Sequence, residues 1–372
     1  MNSMTIAVEK KSTGQVAIRV ERLAQLDRAR YQAFVAGHPS ATPYHNLAWL
    51  DAISQAYRHP CWVVSVADPG GLLAVLPLCQ LRCFGKGPVV SLPFCDLAGP
   101  LYLTEEGRAG LQQGVSKLLA ELGARRIEVR RRGSLFSEPE LRELGNAGAS
   151  PKVSMLLDLP ETSGDLFASY KPKLRSQIRK AEKNGLTAEV VSDAAAIQRF
   201  YPVFAANMRR LGSPVHSRAW FECLQKTYGE RLLVGLVRHN HQVVGAGIVL
   251  CHGQQACIPW ASTLSEFNHL APNMLLYWSL LSHVTDQGCR QFDFGRSSLG
   301  EGTYRFKKQW GAVPVALEWT TWTADGVETP AEAAQPGSRS FRIRMLVERC
   351  WQRLPMALAN RLGPVLRKYV SL

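Results

Sequence analysis

The sequence predicts an α/β (α+β) protein in which one kind of domain occurs twice, each copy a mixed, mostly antiparallel sheet flanked by helices. Three observations carry this. Residues 42–49, TPYHNLAW, return as SPVHSRAW at 213–220, an offset of 171 that sets Pro43, His45, Ala48 and Trp49 on Pro214, His216, Ala219 and Trp220. At the same offset, without a gap, Tyr57 falls on Tyr228, WVVSVA (62–67) on LVGLVR (233–238) and LLAVLPL (72–78) on VVGAGIV (243–249). Further on, LGARRIEVR (122–130) resembles QGCRQFDFG (287–295), with Gly123 on Gly288 and Glu128 on Asp293. A period near 170 residues is too long for a stacked solenoid repeat, so it marks two copies of a whole domain.

Each copy reads in the same order. An amphipathic helix comes first, at about 46–57 and 217–228. Two apolar strands follow, joined by the polar turns DPGG and RHNH, which fit hairpins. Then come a further strand, a long helix at about 105–122 and 272–287, and the short buried strands IEVR and FDFG. These ranges place the first domain at 1–150 and the second at 151–322. The second opens with SYKPKLRSQIRKAEKNGL (169–186), where Lys171, Arg175, Arg179 and Lys183 recur every fourth residue and form one stripe along a helix. Leu174, Ile178 and Ala181 make its apolar side, and Asn184-Gly185 stops it. Four like charges on one stripe repel, so they are either a solvated face or a site that an anion relieves.

Beyond the second domain the composition turns small, polar and proline-containing at 323–338, which reads as a linker. The tail, 339–372, alternates apolar residues with Arg342, Arg344, Arg349, Arg353, Arg361, Arg367 and Lys368. Pro355 and Pro364 are expected to break it into short helices. Such a basic amphipathic tail lies on a membrane surface or a partner, or packs on its own protein.

Composition limits the function. The 372 residues carry 44 Lys and Arg against 30 Asp and Glu, a net charge of +14, which suits an acidic partner such as RNA, a nucleotide, a phosphorylated precursor or an anionic membrane. The first residues hold no apolar signal segment, and no apolar run is long enough to span a bilayer, so the expected location is the cytoplasm or the inner face of the membrane. The nine cysteines are scattered in apolar runs without a C-x-x-C, as buried thiols of a reducing compartment are. Cys79 and Cys83 read as core, and no metal site is expected.

The densest chemistry lies at 293–311, DFGRSSLGEGTYRFKKQWG. Arg296 follows a buried strand and suits a bidentate clamp on phosphate or carboxylate, with Ser297, Ser298 and Gly300 adding hydroxyl and backbone donors. Asp293, between Phe292 and Phe294, is either a general base or the structural partner of Arg296 or Arg290. Tyr304 either meets substrate or packs. Gln242-Val-Val-Gly245-Ala-Gly247 contains a Q-x-x-G-x-G, which is either a weak donor-binding run or, since it sits in a strand-like stretch, a set of close-packing glycines.

With the duplication, the basic helix and FDFGRSS…GTYRFKKQWG together, the chain resembles the Fem-type (FemAB) aminoacyltransferases, and in particular their exosortase-associated branch. The resemblance runs from about Pro43 to Trp322 and includes SLPFCDLAGP (91–100), APNMLLYWSLLSHVTDQGCRQFDFGRS and the WQRLP…LGPVL tail. It implies two tandem acyltransferase domains of the GNAT type. Better-known members of that family transfer an amino acid from aminoacyl-tRNA to an amine of a peptidoglycan precursor; others use acyl-CoA. The family's Y-x-F-K-x-x-F/W-G segment carries an aromatic–lysine pair at the catalytic centre, which falls here on Phe306 and Lys307. Two departures stand out. Gly99-Pro100 is followed by Leu101, Tyr102 and Leu103 without an acid, and no heptad run forms a coiled-coil arm for tRNA.

Acyl transfer needs a neutral amine, a held acyl donor and a stabilised oxyanion. Lys307, read as part of a strand, is expected to supply the last, with Phe306 on the opposite face and Arg305 and Lys308 pointing away from it. The expected enzyme is therefore a FemAB/GNAT acyltransferase acting on an anionic cell-envelope precursor, sugar-nucleotide or lipid-linked. Its donor is acyl-CoA or aminoacyl-tRNA. Two other readings stay open: acetyl-CoA-dependent N-acetylation of an amino sugar for exopolysaccharide, and a non-catalytic protein docking on membrane or RNA.

Overall fold

A computed structural model describes residues 6–8, 16–83, 85–146, 151–330 and 339–371. The chain forms two compact units. The first takes residues up to Arg132, 317–330 and 368–371; the second takes 133–316 and 339–367.

The first unit runs β1 (Ile6–Val8), β2 (Ala17–Arg22), α1 (Arg28–Gly37), α2 (Leu47–Tyr57), β3 (Cys61–Asp68), β4 (Gly71–Gln80), β5 (Val89–Val90), β6 (Leu101–Tyr102), α3 (Glu105–Leu122) and β7 (Arg126–Leu135). Its strand order is β1-β2-β3-β4-β5-β7, with β6 on β4. Every pairing along that path is antiparallel except β5 with β7, which run parallel with Val90 opposite Glu128. The β3–β4 turn forms as DPGG predicts, because the Asp68 carboxylate accepts from the backbone N–H groups of Gly70 and Gly71. Helix α3 lies close on the sheet through glycine: a Cβ on Gly114 would stand 2.4 Å from Val64 Cγ1.

The second unit continues α4 (Glu138–Asn146), β8 (Lys152–Asp158), α5 (Ser163–Ser169), α6 (Pro172–Lys183), β9 (Leu186–Val191), α7 (Ala194–Arg210), α8 (Arg218–Tyr228), β10 (Leu232–His239), β11 (Gln242–His252), β12 (Gln255–Thr263), α9 (Pro272–Asp286), β13 (Gln291–Ser298), α10 (Gly302–Lys308), β14 (Val313–Thr323), β15 (Glu328–Pro330), α11 (Arg339–Arg353) and α12 (Met356–Arg367). The order is β14-β8-β13-β12-β11-β10-β9, where only residues 313–316 of β14 belong to this unit. Again one neighbouring pair is parallel: β12 with β13, Cys257 opposite Asp293. Glu128 and Asp293, matched in sequence, are thus each the last paired residue of a parallel step. The repeat also returns in hydrogen bonds. Tyr31 donates to the His45 carbonyl and Tyr201 to the His216 carbonyl, both at 2.9 Å.

Local signals fix the helices. Asn46 and Ser217 cap α2 and α8 by accepting from Ala48 and Trp220, and bury Trp49 and Trp220 completely. Pro172 and Pro272 sit in the first turns of α6 and α9, and Gly185 at φ 78° ends the α6 region.

Three expectations change. The segment 302–308 is a helix, not a strand. Its buried residues Tyr304 and Lys307 are three apart, buried Trp310 follows just past its end, and its basic residues gather at the C-terminal end, where the helix dipole favours them. Of the stretch read as linker, 323–330 forms the end of β14, a turn through Gly326 and β15; 331–338 lies outside the described residues, as do 147–150 at the expected domain boundary. Pro355 separates α11 from α12, but Pro364 lies inside α12. That helix continues because Gly363 backs directly onto Val215, where a Cβ would meet the Val215 nitrogen at 2.8 Å. The tail packs on its own unit: Arg209 Nε donates to Leu354 O at 2.6 Å and Arg367 Nε to His216 Nε2 at 3.1 Å. Its outer face leaves Leu358, Leu362, Val365 and Leu366 exposed. No helix among the described residues is long and apolar enough to cross a membrane.

Candidate active site

After Cys257 and Asp293 the parallel strands β12 and β13 no longer pair. Strand β12 continues on β11 alone and β13 on β8 alone. Here β13 carries a bulge between Asp293 and Arg296, centred on Gly295 at φ 74°. A bulge frees backbone groups from the ladder, and Lys307 takes them up. Its Nζ donates to the carbonyls of Gly295 and Arg296, each at 2.9 Å. The ammonium is buried with its residue, 8% exposed. One oxygen of Asp293 closes the bulge from within, accepting the Ser154 hydroxyl at 2.6 Å and the Gly295 N–H at 2.7 Å. Asp293 therefore positions the bulge that holds Lys307. Arg290 reaches the Pro160 carbonyl at 3.0 Å.

The other predicted residues divide around this point. Ser297 is buried, and its hydroxyl has no hydrogen-bond partner among the described residues. Ser298 accepts from Lys152. Phe306 is half-buried against Tyr277, with ring centroids 5.0 Å apart, so it walls the core. Tyr304 is buried, with Lys308 5.7 Å above its ring. Gly245 and Gly247 lie inside β11, where a Cβ would meet Thr263 Cγ2 at 3.3 Å and Trp260 O at 3.2 Å; both serve close packing.

A cavity of about 830 Å³ lies where the end of β8, α5, α6 and the α10–β14 turn meet. Of the basic stripe on α6 only Lys171 lines it; Arg179 stacks on Phe167 at 5.2 Å. Arg175 and Lys183 lie outside its lining. Lys173, Arg305 and Lys308 join Lys171 there. On a helix residues 305 and 308, three apart, share one side, whereas on a strand they would face opposite ways. Sequence reasoning also missed Tyr170 and Trp310, both buried in this lining; the Trp-Gly end of the motif was the available signal.

At the matching place the first unit has a buried arginine. Arg130, aligned with Gly295, is 1% exposed and holds Glu128 at 2.6 Å. It also donates to the carbonyls of Leu92 and Cys95, at 3.2 and 2.8 Å. The SLPFCDLAGP segment is thus anchored by an arginine where the second unit has a glycine. Among the described residues no cluster of His, Cys, Asp or Glu is arranged to hold a metal ion.

Residues 168–308 match the acetyltransferase (GNAT) domain family. The fold is similar to the crystal structure of FemX, with a TM-score of 0.63 at 14% identity, covering 78% of this chain and 94% of that one. It is also similar to the structure of L-PGS from Bacillus licheniformis, with a TM-score of 0.51 at 10% identity, covering 90% of this chain and 99% of that one. No curated protein matches the sequence. The matched segment contains the parted strands, the bulge and Lys307, and this domain match supports acyltransferase chemistry in the second unit.

Proposed function

Because the second unit is a GNAT acetyltransferase domain, we propose that the protein transfers an acyl or aminoacyl group to an amine on an anionic cell-envelope precursor, at the bulge of β13. The observation that carries this is the buried Lys307 ammonium fixed on the carbonyls of Gly295 and Arg296, beside the parting of β12 and β13.

The neutral amine attacks the acyl carbonyl, and a tetrahedral oxyanion forms. The C–N bond is made, the bond to the donor's sulfur or oxygen breaks, and the amine's proton leaves with the departing group. A fixed cation lowers the energy of the oxyanion more than that of the ground state, because charge develops only there. Lys307 is held by two carbonyls, so no side-chain reorganisation is needed during the reaction. Ser297 adds a buried hydroxyl on the same strand. GNAT folds in general use acyl-CoA, and that donor is the first to test; aminoacyl-tRNA is the second. The lysines and arginine around the cavity suit an acceptor bearing phosphate, whether sugar-nucleotide or lipid-linked. The outward apolar face of α12, with exposed Arg361 on the same helix, supports a peripheral contact with the inner face of the membrane.

The test is turnover by purified protein with acetyl-CoA, or with aminoacyl-tRNA, against a UDP-linked amino sugar and a UDP-linked muramoyl peptide. Product with one donor supports the reading. No product from any pairing, with the protein folded, overturns it and leaves the docking alternative.

A further inference from the structure

In the first unit the chain leaves β7 soon after β5. Ser91 N–H reaches the Glu128 carbonyl at 2.8 Å, and the chain comes back with Ala98 N–H on the Arg130 carbonyl at 3.1 Å. Residues 92–97 loop out between these bonds, and Lys368–Ser371 lies against the loop.

Three buried residues aim N–H groups at this segment. His59 Nδ1 accepts from the Arg82 N–H at 3.2 Å, which leaves the proton on Nε2, and Nε2 donates to the Lys368 carbonyl at 2.7 Å. The Phe94 N–H donates to the Ser371 carbonyl at 2.7 Å. Arg130 donates from Nη2 to the Ser371 hydroxyl at 2.5 Å and from Nη1 to the Ser371 carbonyl at 3.5 Å. Phe94 holds φ 68°, a left-handed conformation that a bulky residue adopts only under strain, and such strain gathers at ligand clamps. The two sides of the contact differ in burial. His59, Phe94 and Arg130 belong to the buried interior, whereas Val370 is exposed and Lys368, Tyr369 and Ser371 are only half-buried. A brace of the core would be buried as its partners are.

We infer that the first unit carries a peptide-binding site, and that residues 368–371 are its displaceable ligand in cis. The recognised pattern is a four-residue stretch. Its first and fourth carbonyls accept hydrogen bonds, its fourth side chain is a hydroxyl, and its second is an aromatic ring, where Tyr369 stands 6.1 Å from His59 between ring centroids. Because the segment is held through carbonyls and a hydroxyl, its release gives up little apolar burial. Release does leave buried donors without acceptors, which is costly, so the site takes up the same pattern again. That pattern comes from the chain itself or from a second copy of it. Nothing here rests on the acyltransferase function.

The probe is the peptide Arg-Lys-Tyr-Val-Ser-Leu, residues 367–372, labelled with fluorescein at its N-terminus and followed by anisotropy. Three proteins are compared: the intact chain, the chain lacking residues 368–372, and the full-length triple variant Tyr369→Gly/Val370→Gly/Ser371→Gly. The last two, shown folded by circular dichroism, are expected to bind the peptide saturably. The intact chain is expected to bind it at least about tenfold more weakly, because its own segment competes at an effective concentration near millimolar. A peptide with Ser371→Ala is expected to bind about tenfold more weakly, having lost its bond to the guanidinium. No saturable binding to either folded variant overturns the inference, as does equal binding by the intact chain, the alanine peptide or a scrambled peptide. Failure of both variants to fold also overturns it, since the segment is then an obligate part of the first unit. The readout involves no turnover, so it is independent of the acyl-transfer assays.

Discussion

Arg130 of the first unit lies 2.6 Å from Glu128, and its place in the repeat is that of Gly295, the centre of the second unit's bulge. The guanidinium also donates to the carbonyls of Leu92 and Cys95 and to the Ser371 hydroxyl. It is a buried cation that ties the SLPFCDLAGP segment and the C-terminus to β7. Removing one partner of such an arrangement leaves buried acceptors unsatisfied. Arg130→Met is expected to destabilise the protein by about 3–5 kcal/mol, read from the midpoint of urea unfolding. A loss below about 1 kcal/mol would show that the anchoring is replaced by solvent.

Helix α3 depends on the absence of a side chain at Gly114. A Cβ there would lie 2.4 Å from Val64 Cγ1 and 3.2 Å from Ile18 Cγ2. Gly114→Val is therefore expected to overpack the first unit and lower its stability by about 1–3 kcal/mol. Gly123→Ala, with open space around it but φ 61°, gives a control governed by backbone strain alone.

Two buried histidines hold the C-terminal residues. His216 Nε2 accepts from Arg367, and burial, reinforced by that guanidinium, depresses its pKa well below the ordinary histidine value. His59 meets the Lys368 carbonyl at 2.7 Å, and burial lowers its pKa as well. A depressed folded-state pKa means that below the unfolded value, about 6.5, the unfolded chain binds protons that the folded one does not. Stability is therefore full above about pH 6.5 and falls as pH drops below it. His216→Gln is expected to flatten that acid limb, measured as Tm against pH between about 5 and 7. An unchanged slope would place the acid sensitivity elsewhere.

Much of the fold is legible in the sequence because the repeat compares two copies. The ends of α2, α3, α8 and α9 and both hairpins lie within a residue or two of where the pattern sets them, since capping residues and turns recur with it. Helix α10 was not legible. It belongs to the part of the second copy that has no counterpart, and its Tyr-Arg-Phe-Lys order alternates aromatic and basic residues as an edge strand does. The helical turn decides which groups act together: Arg305 and Lys308 go to the cavity and Lys307 to the bulge. The basic stripe on α6 was correctly spaced for a helix, but spacing cannot say what faces it, and only Lys171 reaches the cavity. Tyr170 and Trp310 were not picked out from the sequence, because the lack of a hydrogen-bond partner is a property of three-dimensional surroundings.

The most direct test of the central claim is the single-turnover rate of acyl transfer by Lys307→Met, measured with saturating donor at a temperature where circular dichroism shows the variant folded. Methionine keeps the length and packing of the side chain and removes only the ammonium that Gly295 and Arg296 hold. A fall of about 100- to 1,000-fold, with donor affinity retained, is predicted, as for the loss of one oxyanion donor. A rate equal to that of the unaltered protein would show that Lys307 braces the β13 bulge and takes no part in the transfer.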